Sequence, residues 1–250
     1  MKKALVVLSG GQDSTWCLYW AKRHFDAVHA VTYAYGQRHH SEIQAAKTVG
    51  AMAGVKDHAF VNLGFGTFAG TSPLTSDRPL EQYESAEAME KKVGDEIEST
   101  FVPGRNAVFL AVACGRAASA GIDDVVVGVS QEDYANYPDC RADFIASMQE
   151  AMRHALANPS MTIHAPLLGA SKADAVRFAF TQPDLWAALA YTHTAYDGGF
   201  PPTSHDHASL LRARAFLDAD LPDPLVVRAW SAGLMALPPT RNYRTLEGSE

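Results

Sequence analysis

The sequence predicts an α/β fold in which a parallel sheet is flanked by helices. Short apolar runs alternate with helical patterns over residues 3–63, and this alternation is typical of parallel strands joined by right-handed crossovers. The length of 250 residues and the apolar content of 47% suit one large globular domain, or one domain with a small appendage. The sequence shows no internal repeat.

The predicted elements follow from apolar runs and helical spacing. The first apolar run, residues 3–8, ends at two glycines, which is typical of a buried parallel strand. In chain order we then predict helix 13–24, strand 27–33, helix 42–53 with Ser41 as its N-cap, strand 58–63, helix 107–120, strand 124–129, and helices 141–156, 171–179 and 208–219. Residues 64–100 lack a sustained apolar period, so we expect a long loop near the site or a lid over it. Residues 238–250 are polar, and we expect them to fray.

Charge and cysteine content exclude several classes of protein. The formal net charge is −7, which argues against a nucleic-acid binder that works by neutralising phosphates. No apolar run has the length of a membrane helix, and the apolar stretch after Lys2 and Lys3 is too short for a signal peptide. Three widely spaced cysteines without a CxxC pair are typical of reduced thiols. We therefore expect a cytoplasmic protein that binds no nucleic acid directly and no membrane.

The junction between the first predicted strand and the first helix reads Ser9-Gly10-Gly11-Gln12-Asp13-Ser14. Adjacent glycines let the backbone approach a ligand, and the N–H groups at a helix N-terminus favour phosphate. Asp13 would repel a bare phosphate, but it suits a site in which Mg²⁺ bridges it to a polyphosphate. The Walker and dinucleotide glycine patterns are missing. The alternative interpretation is a tight strand–helix turn capped by a serine and an aspartate.

This segment resembles the PP-loop, SGGxDS, of the ATP pyrophosphatases, which cleave ATP between the α and β phosphates. Four further blocks match, in order, segments of the 7-cyano-7-deazaguanine synthases (the QueC family): YGQRH at 35–39, FVPGRN at 101–106, YPDCR at 137–141 and PLLGASK at 166–172. The resemblance implies a Rossmann-like fold of the adenine nucleotide alpha hydrolase-like type, with ATP and Mg²⁺ as cofactors. It also implies a ligase that adenylates 7-carboxy-7-deazaguanine and converts it through the amide to the nitrile, releasing AMP and pyrophosphate.

Three residues are candidates for catalysis: Asp13, Arg105 and Lys172. Arg105 follows Pro-Gly at a predicted helix start and suits bidentate pairing with a phosphate or the substrate carboxylate; the alternative is a surface arginine. Lys172 begins another helix and suits the charge that develops at the α-phosphate; the alternative is a solvated lysine. The residues expected to bind ATP are Leu8, Ser9, Gly10, Gly11, Gln12, Asp13, Ser14, Tyr35, Gly36, Gln37, Gly104 and Arg105.

A polar and aromatic cluster follows the strand predicted at 124–129. A guanine-like base needs a carboxylate for its N1–H and 2-amino edge and an aromatic face for stacking, and this cluster offers both. The alternative is a turn rich in Asp, Asn and Pro. We expect a packing or pocket-lining role for its cysteine rather than that of a nucleophile. The residues expected to bind substrate are Asn106, Asp133, Tyr134, Tyr137, Asp139, Cys140 and Arg141. After the second strand, we expect Arg38 near the ligand and His39 and His40 at the surface.

The sequence departs from the family pattern near its C-terminus. Members of the family carry a structural zinc site there, made by four cysteines. The corresponding positions are Ala195, Thr203, Asp206 and Ser209, so no structural zinc is expected. His193, His205 and His207 lie in the same stretch with Asp206, and whether they bind a metal is left open.

The sequence leads to one preferred function and two alternatives. We expect an ATP pyrophosphatase domain over residues 1–190 and a helical extension over residues 191–250, in a homodimer. The preferred function is the synthase reaction on the small-molecule deazaguanine. One alternative stops at the amide or joins the deazaguanine to a protein amine, for example in an anti-phage defence pathway. The other is a non-catalytic nucleotide-binding paralogue.

Overall fold

The computed structural model describes residues 1–36, 41–130 and 136–247, apart from the side chains of Phe65 and Glu247. Five parallel strands form one sheet in the order β3-β2-β1-β4-β5. The strands are β1 (Lys3–Val7), β2 (Ala27–Ala34), β3 (His58–Asn62), β4 (Asp124–Val126) and β5 (Thr162–His164). The prediction of an α/β fold with a parallel sheet is confirmed.

Ten helices accompany the sheet in the described residues. They are α1 (Gln12–His24), α2 (Ser41–Met52), α3 (Ala86–Val93), α4 (Arg105–Ser119), α5 (Ala142–Ala155), α6 (Lys172–Phe180), α7 (Pro183–Leu189), α8 (His207–Ala219), α9 (Pro224–Ser231) and α10 (Arg244–Glu247). Short 3₁₀ turns occupy 65–67, 73–75, 138–140 and 241–243. None of the described helices combines the length and apolar character that a bilayer-spanning segment needs.

The sheet has a hydrophobic core on each face, because alternate residues of a strand point to opposite sides. Ala4 and Val6 of β1 pack with residues of α1, α2, α6, α7 and α8. Leu5 and Val7 pack with residues of α4 and α5 on the other face. Both faces are therefore covered by helices, which explains why β1 reads as a continuous apolar run rather than as an alternating one.

The strand order changes direction at β1. The chain runs outward through β2 and β3, then returns to place β4 on the other side of β1. In open parallel sheets of this kind, ligands bind beyond the carboxyl ends of the strands beside such a switch point. The segments after β1 and β4 are therefore the place to look for a site.

The expectation of a long loop over residues 64–100 is wrong in part. This segment contains α3, whose side chains Met89 and Val93 pack with Tyr83 and with Leu211 of α8. The helix has eight residues, and one buried pair at i, i+4 is too short a pattern to reveal a helical period. Ser85 caps it by accepting a hydrogen bond from the Ala88 N–H.

The structure also differs from the expectation that residues 238–250 fray. Asn242 and Tyr243 of this segment are buried in a 3₁₀ turn. The Asn242 side-chain amide donates to the carbonyl of Leu221 at 3.0 Å. Helices α7 and α9 were not predicted, although each begins with a proline at the first helical position, a common start signal.

Candidate active site

A cavity of about 260 Å³ opens beyond the carboxyl ends of β1, β2 and β4. The first or second residue of five helices lines it: Gln12 of α1, Glu42 of α2, Arg105 of α4, Lys172 of α6 and His207 of α8. The N-terminus of a helix carries N–H groups without intrahelical partners and a partial positive charge. This convergence makes the cavity favourable for an anion, although the protein as a whole is acidic.

Hydrogen bonds of the Ser9 and Ser14 hydroxyl groups stabilise the segment from Ser9 to Ser14. Ser14 Oγ accepts hydrogen bonds from the N–H groups of Ser9 and Gly10, each at 3.2 Å, and lies 3.2 Å from the Gly11 carbonyl, to which it donates. Ser9 Oγ accepts from the Gly11 N–H at 3.3 Å. The first turn of α1 has no side-chain cap, which leaves its N–H groups for a ligand.

Gly10 and Gly128 allow neighbouring backbone to approach this segment closely, because neither carries a Cβ atom. Gly10 has a φ of +89°, and a Cβ there would lie 2.4 Å from the Glu42 carbonyl oxygen. Gly128 follows β4, and a Cβ there would lie 2.9 Å from the Ser14 nitrogen. Backbone from α2 and from the segment after β4 therefore packs directly against the segment from Ser9 to Ser14. The closeness of Gly128 was not predicted, because it depends on the pairing of β4 with β1.

Asp13 and Lys172 form an ion pair at the cavity. Lys172 Nζ lies 2.8 Å from Asp13 Oδ2, and their side chains are 18% and 24% exposed. The two residues come from the first turns of α1 and α6. Two of the three predicted catalytic side chains thus meet directly, with the cation beside the first turn of α1.

Arg105 and Asn106 begin α4 and also line the cavity. The helix follows Gly104, whose φ is +76°. An Nη of Arg105 lies 3.5 Å from the Tyr35 hydroxyl. The Asn106 side-chain amide donates to the Asp139 carbonyl at 3.3 Å, and the Asn106 N–H donates to Asp139 Oδ2 at 3.4 Å. Burial raises the pKa of the Asp139 carboxyl, and Asp139 holds Asn106 from behind the cavity wall.

Tyr137 lines the cavity, and its hydroxyl group belongs to a buried network of hydrogen bonds. Its hydroxyl donates to Glu98 Oε2 at 3.2 Å and lies 2.6 Å from the Thr100 hydroxyl. Glu98 is 3% exposed and also accepts from the Tyr83 hydroxyl, the Ser99 hydroxyl and the Thr100 N–H. Sequence analysis missed Glu98, because it lies in a segment expected to be a loop.

Most of the predicted site residues are brought to one place. Those that line the cavity are Leu8, Ser9, Gly11, Gln12, Asp13, Ser14, Tyr35, Arg105, Asn106, Tyr137, Cys140 and Lys172. Gly10, Gly36, Gly104 and Asp139 lie outside its lining, and Arg141 is exposed at the N-cap of α5. Gln37, Asp133 and Tyr134 fall outside the described residues, as do Arg38, His39 and His40.

Residues 193–212 supply a wall that sequence analysis did not predict. The residues of this stretch that line the cavity are His193, Thr194, Tyr196, His207, Ala208, Leu211 and Arg212. The His193 N–H donates to the Gly10 carbonyl at 2.9 Å. Arg212 is 5% exposed and pairs with Asp223 through two bonds, of 2.6 and 2.8 Å. The C-terminal segment is thereby tied to the segment from Ser9 to Ser14.

The four positions that correspond to the family cysteines carry other side chains, and one of them lies in a hydrogen-bond network. Ala195 has no donor atom and Thr203 is exposed. Asp206 accepts hydrogen bonds from the Tyr196 N–H, the Ser204 hydroxyl and the Ser209 N–H, at 2.8, 2.9 and 2.8 Å. No group of three or more His, Cys, Asp or Glu side chains in the described ranges is placed to hold a metal ion. Asp206 therefore organises this stretch through hydrogen bonds.

We expect Asp206→Ala to lower the free energy of unfolding by about 2 kcal/mol, because it removes the N-cap of α8 and leaves the partly buried N–H groups of Tyr196 and Ser209 unpaired. Urea denaturation measures the change. Asp218→Ala is the matched control, since Asp218 is an exposed carboxylate on the same helix, paired with Arg214. Equal stability losses in the two variants would contradict the role given to Asp206.

The chain matches a known protein family over most of its length. The model of the queuosine biosynthesis protein QueC matches residues 3–220. The 7-cyano-7-deazaguanine synthase of Gloeobacter violaceus is 44% identical over 229 residues, which cover 90% of this chain and 96% of that protein. The synthase of Chromobacterium violaceum is 44% identical over 233 residues, covering 91% and 94%. Among solved structures, the U34-tRNA thiolase NcsA of Methanococcus maripaludis aligns with 95% of this chain and 74% of its own, at 14% identity and a TM-score of 0.42.

Proposed function

Because the chain belongs to the QueC family of queuosine biosynthesis proteins, we propose that it is an ATP-dependent ligase acting on 7-carboxy-7-deazaguanine. The substrate carboxylate attacks the α-phosphate of ATP, and pyrophosphate leaves. A nitrogen nucleophile then displaces AMP to give the amide. A second adenylation, on the amide oxygen, and elimination give 7-cyano-7-deazaguanine.

The observation that carries the proposal is the convergence of helix N-termini on the Asp13–Lys172 pair. The uncapped first turn of α1 offers N–H donors to the β and γ phosphates. Lys172 lies beside that turn and stabilises the negative charge that builds at the α-phosphate. Arg105, which also lines the cavity, pairs with the carboxylate and holds it in line for attack.

Mg²⁺ fits the same place by the chemistry of its donors, because the Asp13 carboxylate lies beside the phosphate-binding turn. When bound, the ion neutralises the polyphosphate. Asp13 would hold it, and the hydrogen bond from Lys172 orients that carboxylate. Tyr137 and Cys140 line the part of the cavity near Asn106, where the planar base would lie.

A mass-resolved assay tests the proposal. The purified protein is incubated with ATP, Mg²⁺ and 7-carboxy-7-deazaguanine, with and without ammonium, while AMP, pyrophosphate and the base are followed. We expect AMP and pyrophosphate to form together and the nitrile to appear when ammonium is present. AMP without an ammonium-dependent product would instead indicate a protein amine as the acceptor. No AMP from this substrate would overturn the proposal.

A further inference from the structure

His207 is a buried side chain at the cavity whose ring lacks a full set of partners. It is the first residue of α8 and is 3% exposed. Its Nε2 atom has no hydrogen-bond partner among the described residues. Buried polar atoms are nearly always paired, so an unpaired one in a side chain that lines a cavity indicates a missing ligand atom. Thr15 Oγ1 is also buried and unpaired, but Thr15 does not line the cavity.

The backbone at His207 is held firmly. The preceding residue, Asp206, caps α8 and bonds to Tyr196 and Ser204. One turn later, Arg212 is anchored by its buried pair with Asp223. The imidazole is therefore a fixed part of the wall that also contains Lys172 and Tyr137.

Burial and the neighbouring charges favour the uncharged form of the His207 ring. Burial lowers the pKa of His207, Lys172 lowers it further, and Glu98 and Asp206 act in the opposite direction. Glu98 is a buried carboxylate with no ion pair in the described part of the chain. When the adenylate occupies the cavity, the negative charge of its phosphate offsets that of Lys172, and the pKa of the ring rises.

We propose that His207 accepts the proton released when the nitrogen nucleophile attacks the activated carboxylate. This inference rests on the proposed function. The lone pair of ammonia forms the C–N bond, the bond from the acyl carbon to the phosphate oxygen breaks, and AMP leaves with that electron pair. One proton of the attacking nitrogen passes to the ring, which returns it to solvent, and Glu98 stabilises the transient imidazolium.

The test compares His207→Gln with the unaltered protein in two half-reactions. ATP–pyrophosphate exchange with 7-carboxy-7-deazaguanine reports adenylation, which needs no nitrogen nucleophile. Amide formation with ammonium reports the second step. We expect exchange to persist in the variant and amide formation to fall by about 10²-fold. The fall should become smaller as the pH drops below the pKa of His207, because the ring of the unaltered protein accepts a proton only while it is uncharged.

Hydroxylamine supplies an independent readout, because it is uncharged at neutral pH, is a strong nucleophile, and depends less on a base. We expect it to trap the adenylate at similar rates in both proteins. His205→Gln is the matched control: His205 is exposed and outside the cavity lining, so both half-reactions should be unchanged.

Three results would overturn the inference. A fall of exchange, amide formation and hydroxylamine trapping together would assign His207 a structural role. Unchanged amide formation in His207→Gln would assign it none in this step. Absence of exchange in the unaltered protein would instead remove the proposed function, and this inference with it.

Discussion

Lys172→Met is expected to lower the rate of ATP–pyrophosphate exchange by about 10²–10³-fold, because it removes the cation beside the phosphate-binding turn and leaves Asp13 without its partner. Methionine is close to lysine in length, so the packing of α6 is retained. The ion pair is partly exposed, and its loss should change the free energy of unfolding by less than about 1 kcal/mol. We therefore expect this variant to lose exchange activity while its free energy of unfolding stays nearly constant.

Lys22→Met is the matched control for this experiment. Lys22 lies on α1, as Asp13 does, and approaches Asp184 at 4.0 Å, but it lies outside the cavity. Removing it takes one positive charge from the same helix without touching the site. Comparable exchange rates in the two variants would show that net charge alone explains the effect, which contradicts the role given to Lys172.

Gly10→Ala is expected to give the largest loss of stability, about 3–5 kcal/mol, because its Cβ would overlap backbone atoms that cannot move aside. The Cβ would lie 2.4 Å from the Glu42 oxygen and 2.5 Å from the Ala46 nitrogen. Pushing α2 away also displaces the turn that receives the phosphates. Urea denaturation and exchange assays should therefore decline together.

Alanine substitutions at Gly54 and Gly115 are the controls for Gly10→Ala. Gly54 has a φ of +72° with no atom within 4 Å of a Cβ, so Gly54→Ala measures backbone strain without a clash. Gly115 lies inside α4 with open space around it, and Gly115→Ala should raise the free energy of unfolding by about 0.5–1 kcal/mol. If Gly10→Ala lost no more stability than Gly54→Ala, the close approach of α2 would be refuted.

The sequence predicts the local parts of this site well and its long-range parts poorly. The turn from Ser9 to Ser14 was predictable, because its glycines and hydroxyls act on their own neighbourhood. The meeting of Lys172 with Asp13 depends on the packing of α6 against α1, which no local pattern encodes. For the same reason the sequence does not identify Glu98 and singles out His207 only as a possible metal ligand, since the burial of both residues arises from distant segments.

Short elements were the other source of error. Strand β5 has three residues, and its ends, Thr162 and His164, are polar. Its place in the sheet comes from pairing with β4, in which Val125 lies opposite Ile163. A period of two cannot be recognised in so short a segment, so the edge strand became visible only in the assembled sheet.

The bond from His193 to the Gly10 carbonyl has a consequence for how the protein is made. The ribosome releases the phosphate-binding turn long before the wall from His193 to Arg212, which follows it in the chain. Between these two events the turn is present without the backbone that supports it, so the cavity is completed only after the wall has emerged. ATP stabilises only those states of a protein that bind it. The nucleotide can therefore stabilise the completed fold, but it cannot stabilise the chain before the cavity has formed.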